Sequence, residues 1–286
     1  MHLQQSLKII ESYKQESPHY VDLLDILGGI LVLREDFSRG LTEDIFPVDD
    51  KYILPKISGG MPLVDSSQEV NLAPAENYLR ILVEALGEKF GGEALILKKH
   101  LQEEQSYRDL LIAYQLIGAD CHGGDETRAE ATIDSLETDI GEEAVDIVGM
   151  LLRESLRPGF ERVINRYSQH LNKTPWHEGF CPVCGSEPKI GEIKGEEGHR
   201  HLYCHQCGYE WVFPRIMCPF CGNDDHQSLL YFTVEGNENY RVDTCSKCRQ
   251  YIKIVDMRSM AKEVNLEIED INTLHLDIIA ADEGYE

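Results

Sequence analysis

Long apolar runs are missing from this chain of 286 residues. Its opening, MHLQQSLKIIESYK, lacks the continuous apolar stretch of a secretion signal, and LGGILVL (27–33) is far too short to cross a bilayer. The chain therefore reads as soluble and unexported, with no membrane insertion. Basic residues are also scarce: 27 Lys and Arg stand against 51 Asp and Glu, a formal net charge of −24. This balance opposes the counterion release that drives nucleic-acid binding, so the expected partner is a protein or a basic peptide and not a nucleic acid. Catalytic signatures are missing too. There is no Walker loop, no G-x-G-x-x-G opening a helix, no G-x-S-x-G and no H-E-x-x-H, and no catalytic residue is nominated. Cysteine is nearly absent outside one region, since eight of the nine fall between Cys181 and Cys248. That clustering fits a reducing cytosol better than a disulfide framework. The ninth, Cys121 in GADCHGGDE, reads as a buried or loop thiol, because adjacent residues such as Cys121 and His122 seldom face each other as nucleophile and base.

What the first 175 residues do contain is helical periodicity. Ser17-Pro18 offers an N-cap and a first-turn proline before Tyr20, Leu23, Leu24 and Leu27, and Ala73-Pro74 precedes the stripe Tyr78, Leu79, Leu82, Val83, Leu86. Further stripes run through Leu110, Leu111, Tyr114, Ile117; Ile133, Leu136, Ile140; Val145, Val148, Leu151, Leu152; and Phe160, Val163, Ile164, Tyr167, Leu171. A helical bundle of seven or eight elements is expected, interrupted by a proline-rich and glycine-rich loop over 46–68. The stretch from Asp125 to Asp146 carries nine carboxylates against the single base Arg128 and reads first as a solvated helix face. Glu142, Glu143 and Asp146 would form an acidic wall if a basic client segment docked there.

After Trp176 the character changes to short strands: HLYC (201–204), YEWVF (209–213), LLYFTV (229–234), YRVDTC (240–245) and YIKIV (251–255). The expected fold class is α+β, with a helical domain over 1–175, a metal module over 176–214, a second over 215–260, and an acidic C-terminal segment over 261–286 holding a last helix. In that helix Leu274, Leu276, Ile278 and Ile279 are expected to pack on the rest of the protein.

The strands fill the spacers between four Cys-x-x-Cys knuckles: Cys181/Cys184, Cys204/Cys207, Cys218/Cys221 and Cys245/Cys248. One such turn brings two thiolates to one ion, and a second completes a tetrahedral four-sulfur shell. Pairing the knuckles in chain order leaves spacers 185–203 and 222–244, each long enough for a hairpin, as in zinc ribbons. A redox pair would instead favour one unpartnered motif at a strand-to-helix turn. Two metal ions are therefore expected, zinc or iron, since both accept tetrahedral sulfur. His199, His201 and His205 lie close to the second knuckle, but eight cysteines already fill two shells.

The runs CPVCGSEP (181–188), GHRHLYCHQCGYEW (198–211), RIMCPFCG (215–222), RVDTCSKCRQYIK (241–253) and LHLDIIAADEGY (274–285) together resemble the FdhE family, the formate dehydrogenase accessory proteins. The resemblance covers about the last 110 residues and includes Glu210-Trp211, Arg241, Tyr251, Lys253 and the Leu-His-Leu-Asp ending. It implies a helical domain followed by two rubredoxin-like or zinc-ribbon modules. The implied role is cytoplasmic: action on the catalytic subunit of a molybdenum- or tungsten-dependent formate dehydrogenase during maturation, without being an oxidoreductase itself. By the same resemblance the eight paired cysteines are metal ligands that contribute to partner binding. The rival expectation is a rubredoxin-like iron electron carrier.

Overall fold

The computed structural model describes residues 2–65, 68–90, 97–99, 101, 106–117, 126–140, 142–234, 236–260 and 264–286. The described chain divides into two compact units.

One unit comprises Gly29–Tyr52 and Val64–Ser168. It is built from most of α2 (Val21–Gly40), α4 (Leu72–Phe90), α5 (Ser106–Ala113), α6 (Glu126–Ile140) and most of α7 (Glu142–Lys173). The stripe expected on α4 is the one that is buried: Tyr78, Leu79, Leu82, Val83 and Leu86 are all enclosed. Inside this apolar packing Arg34 donates to both carboxylate oxygens of Glu154, at 2.8 and 2.6 Å, and the Tyr78 hydroxyl adds a third hydrogen bond at 3.0 Å. A buried carboxylate is tolerated there because it is paired and hydrogen-bonded.

Two stripes that read as separate helices prove to be one, since α7 runs for 32 residues with Pro158 inside it. The following Gly159 explains why a Pro-Gly pair sits in mid-helix: a Cβ there would come within 2.7 Å of Ile45 and 3.0 Å of Phe46. The pair is kept by close packing, not by a turn. The α5 stripe stops early, at Ala113, because Gln115 takes a left-handed φ of 55°.

The other unit comprises Met1–Gly28, Ile53–Leu63 and Gln169–Glu286. It holds α1 (Leu3–Glu16), α3 (Ile53–Ser58), six strands, α8 (Leu266–Asn272) and α9 (Leu274–Asp282). The strands are β1 (Pro188–Lys194), β2 (His199–Cys204), β3 (Glu210–Phe213), β4 (Leu229–Thr233), β5 (Tyr240–Cys245) and β6 (Tyr251–Asp256). They form one mixed sheet in the order β3-β2-β1-β6-β5-β4. Each ribbon supplies an antiparallel three-stranded half, and the halves join where β1 pairs with β6 in parallel, Ile190 opposite Lys253. The fold class is thus α+β, a helical region followed by a mixed sheet.

The sheet has two distinct faces. Ile190, Tyr203, Tyr240, Val242 and Val255 share one face and pack with Leu266, Leu276 and Ala280 of α8 and α9. Of the residues expected to pack in the last helix, Leu276 does so fully and Ile278 does not, remaining 64% exposed. The other face carries Arg200, Phe213, Arg241, Asp243 and Ile254, as the register requires. Ser17 does not cap the following helix; Pro18–Tyr20 forms a 3₁₀ turn first, and the Ser17 hydroxyl donates to Asn272 at 3.0 Å.

Among the described residues, no helix is long and apolar enough to cross a membrane.

Candidate metal centres

Each of the four knuckles is held by the same pair of backbone hydrogen bonds. The amide four residues after the first cysteine donates back to that cysteine's carbonyl: Gly185 to Cys181, Gly208 to Cys204, Gly222 to Cys218 and Arg249 to Cys245, at 2.8–3.0 Å. The first cysteine's own amide donates one residue further on, to Ser186, Tyr209, Asn223 and Gln250 respectively. This turn needs a left-handed residue at its fourth step, and φ there is +76°, +74°, +69° and +66°. Glycine supplies it three times at no steric cost. Arg249 supplies it the fourth time, and its side chain shows why. The guanidinium donates to the carbonyls of Glu283 and Gly284 and lies 4.4 Å from the Tyr285 ring centroid. The last knuckle thereby clasps the C-terminal residues.

The knuckles meet in the pairs expected from chain order. Cys181, Cys184, Cys204 and Cys207 form one four-sulfur group and Cys218, Cys221, Cys245 and Cys248 another, with all sulfurs of a group within 4.8 Å of one another. Cross-knuckle Sγ···Sγ distances are 3.4 Å for Cys181–Cys207 and Cys184–Cys204, 3.7 Å for Cys218–Cys248 and 3.8 Å for Cys221–Cys245. They are too long for a disulfide bond of about 2.05 Å. Those of the second group match the edge of a tetrahedron with metal–sulfur bonds of about 2.3 Å, which is about 3.8 Å, and those of the first are somewhat shorter than it. The donor set and its spacing therefore fit one tetrahedral ion per group. Both groups consist of cysteine alone, and His199 instead lies 2.9 Å from Glu197.

The two groups differ in exposure. In the first, Cys181, Cys204 and Cys207 are buried; in the second, Cys221 is exposed. Burial pushes the Cys181 and Cys207 thiols well above their ordinary value. Burial acts the same way on Cys184, but hydrogen bonds from Cys181, Cys204, Cys207 and Ser186 outweigh it and hold that thiol well below. Burial thus disfavours thiolate at Cys181 and Cys207, a cost that a cation bound by all four sulfurs would offset.

The remaining signature residues form the scaffold around these groups. Lys253 is buried and donates to Asp277 at 2.7 Å and to the Asp270 carbonyl at 2.9 Å, and the Tyr251 hydroxyl reaches the same Asp277 at 2.7 Å. Tyr251, Lys253 and the aspartate of Leu-His-Leu-Asp are therefore one network tying β6 to α8 and α9. His275, beside it, is pulled down by burial and then by Lys253. Glu210 receives Lys194 at 2.8 Å.

A site that the sequence did not reveal lies beside the second group. Arg200 is 3% exposed. It lines a cavity of about 150 Å³ together with Arg215, Arg241, Asp243, Cys218 and Cys245. Burial pulls Arg200 down to about 10, Asp243 opposes that, and the charges of Arg241 and Arg215 add to it. Only the joining of the two ribbon halves at the β1–β6 seam brings β2, β5 and the segment between β3 and β4 together here, and no local pattern marks it. Cys121 and His122 lie outside the described residues, as do the side chains of Glu142 and Glu143 in the acidic stretch.

Compared with known proteins, residues 180–215 match the family model described as FdhE, central domain, and residues 216–286 match FdhE, C-terminal domain. A protein FdhE homolog of Aquifex aeolicus is 26% identical over 98% of this chain and 91% of its own length. The FdhE homolog of Enterobacter sp. is 37% identical, but over 37% of this chain and 34% of that protein, so this match spans about a third of the relative. The crystal structure of the FdhE protein from Pseudomonas aeruginosa superposes with a TM-score of 0.70 over 100% of this chain and 94% of that one, at 20% identity, and shares its fold.

Proposed function

We propose that this chain, whose residues 180–286 match the FdhE central and C-terminal domain models and which is similar along its length to an FdhE homolog, is a cytoplasmic maturation factor of the FdhE family that binds the catalytic subunit of a molybdenum- or tungsten-dependent formate dehydrogenase, and that it is not itself an enzyme. The observation that carries the reading is the pair of four-cysteine groups within the matched region. In this reading Cys181, Cys184, Cys204 and Cys207 hold one ion, and Cys218, Cys221, Cys245 and Cys248 hold a second. A thiolate-bound ion would supply folding free energy to two small ribbons whose own cores are slight. The chain's residues do the rest: the knuckle amides fix the thiolates, and the Lys253–Asp277 network holds the sheet to its helices. The division of the chain at residues 175, 214 and 260 is likewise proposed as the organisation in which helical region and ribbons carry separate tasks.

A second reading, a rubredoxin-like iron carrier, is favoured by one feature: Cys221 is exposed, so the second group reaches the surface as an electron-transfer site must. The deciding experiment is co-purification of the tagged chain with a formate dehydrogenase catalytic subunit from the same cells, with metal analysis and visible spectroscopy on the same sample. Complex formation with two colourless ions per chain supports the maturation factor. A reversible iron chromophore without complex formation replaces it by the carrier.

A further inference from the structure

Two features coincide at the β4 end of the sheet. The first is apolar exposure. Ile216 and Tyr231 are 63% and 65% exposed and line the same small cavity beside the second cysteine group, while Leu230, the preceding residue of β4 and 53% exposed, belongs by register to the opposite face. Large side chains exposed singly are ordinary, but an aromatic and an aliphatic gathered at one cavity with unbalanced charge mark an interaction surface. The second is unbalanced charge. Arg200, Arg215 and Arg241 face the single carboxylate of Asp243 within that cavity.

The charges are arranged in depth. Asp243 takes Arg241 at 2.8 Å and lies 3.6 Å from Arg200. Arg200 spends one nitrogen on the carbonyls of Pro214 and Met217, which fixes the loop ahead of Cys218, and its buried Nε has no hydrogen-bond partner among the described residues. Arg241 stacks 5.1 Å from the Tyr231 ring centroid, so the aromatic rim is stiffened by the cationic floor. Arg215, at the mouth, makes no hydrogen bond or ion pair among the described residues. Finally, among the described residues β4 is an edge strand, paired only with β5, so its outer backbone groups are open to an added strand.

We propose that this surface is the docking site for an extended, acidic segment of the client protein, a carboxylate entering over Arg215 and Arg241 while apolar neighbours cover Ile216 and Tyr231. The charge complement selects the occupant: a basic segment would meet three guanidinium groups, and a purely apolar one would bury Arg215 unpaired. The inference rests on the maturation-factor reading for the client's identity and locates its contact. It also gives the second cysteine group a mechanical task. Cys218 and Cys221 staple residues 216–220, which form one wall of the cavity.

The test uses the full-length chain and a purified formate dehydrogenase catalytic subunit. Ile216→Ser/Tyr231→Ala and Arg215→Glu alter exposed side chains and should keep the wild-type metal content and circular dichroism. The expected result is a loss of affinity of about 30-fold for the double variant and about 10-fold for Arg215→Glu, with the wild-type interaction weakening as salt is added. A photo-crosslinker at position 231 should join an acidic, apolar-flanked peptide of the client. Wild-type binding with both variants within about twofold, or a crosslink to a basic peptide, overturns the docking site while leaving the maturation-factor reading intact. Absence of wild-type binding to the client overturns the maturation-factor reading instead, and the docking site with it.

Discussion

The ammonium of Lys253 on β6 lies 2.7 Å from Oδ2 of Asp277 on α9, with the lysine side chain 1% exposed and the aspartate 22%. Asp270, 20% exposed, takes the same ammonium at 2.7 Å. The asymmetry decides what each substitution does. Asp270→Asn/Asp277→Asn strands a buried cation and should cost about 3–5 kcal/mol. Lys253→Met leaves two carboxylates that water can still reach, and should cost clearly less. Denaturant unfolding of the two variants checks the order, and a costlier Lys253→Met would show that the carboxylates depend on the lysine more than their exposure suggests.

That network also shows what could be read from the sequence and what could not. The knuckles were legible because a metal site needs fixed residue types at fixed spacing. The α4 stripe and strand β5 were legible because burial on one face imposes a local period. Strand β1 was not: Pro188-Lys-Ile-Gly-Glu-Ile-Lys194 shows no strong alternation and holds a proline and a glycine. Its central place follows from long-range packing, for Gly191 lets the His201 carbonyl and Ile254 approach to within 2.7 and 3.0 Å of where a Cβ would sit. The parallel β1–β6 seam and the grouping of α1 with the sheet leave no local trace either. The arginine cavity escaped for the same reason, since its residues come from β2, β4, β5 and the segment between β3 and β4.

If the two cysteine groups hold one ion each, their unequal exposure predicts unequal exchange. The second group, with Cys221 at the surface, should lose metal to a chelator before the first. Cys221→Ser should release one equivalent and Cys181→Ser the other, and sulfur shells at about 2.3 Å should appear by X-ray absorption if the ion is zinc. Simultaneous release of both equivalents would show that the two sites open together.

Glycines near the knuckles should separate into two classes. At Gly222 a Cβ meets open space, and the cost of Gly222→Ala comes only from its φ of +69°, about 1–2 kcal/mol. At Gly179 a Cβ would sit 1.8 Å from the Pro219 carbonyl oxygen, backbone against backbone. Gly179→Ala must therefore displace the Cys218–Cys221 turn, and should both cost more and loosen the second metal selectively. Equal unfolding midpoints and equal metal retention would contradict this.

The core of the sheet predicts an alkaline limit. Glu269 is fully buried and accepts hydrogen bonds from Tyr13 of α1 and, at 2.8 Å, from Tyr240 of β5. Burial first, and then the Glu269 charge, raise both phenols well above their ordinary value of about 10. In the unfolded chain they ionise near that ordinary value. Below about pH 10 both states keep the protons and the hydrogen bonds contribute in full. Above it the unfolded chain releases protons that the folded one retains, so stability falls as pH rises, by about 1.4 kcal/mol per pH unit for each such tyrosine. Tyr13→Phe should lower stability at neutral pH by about 1–3 kcal/mol, because Glu269 loses a donor. It should also make the alkaline decline shallower by one proton's worth. Urea unfolding between about pH 9 and pH 11, followed together with tyrosinate absorbance, measures both effects. An unchanged slope in the variant would mean that Tyr13 ionises within the folded protein, and that the bond to Glu269 does not hold its proton.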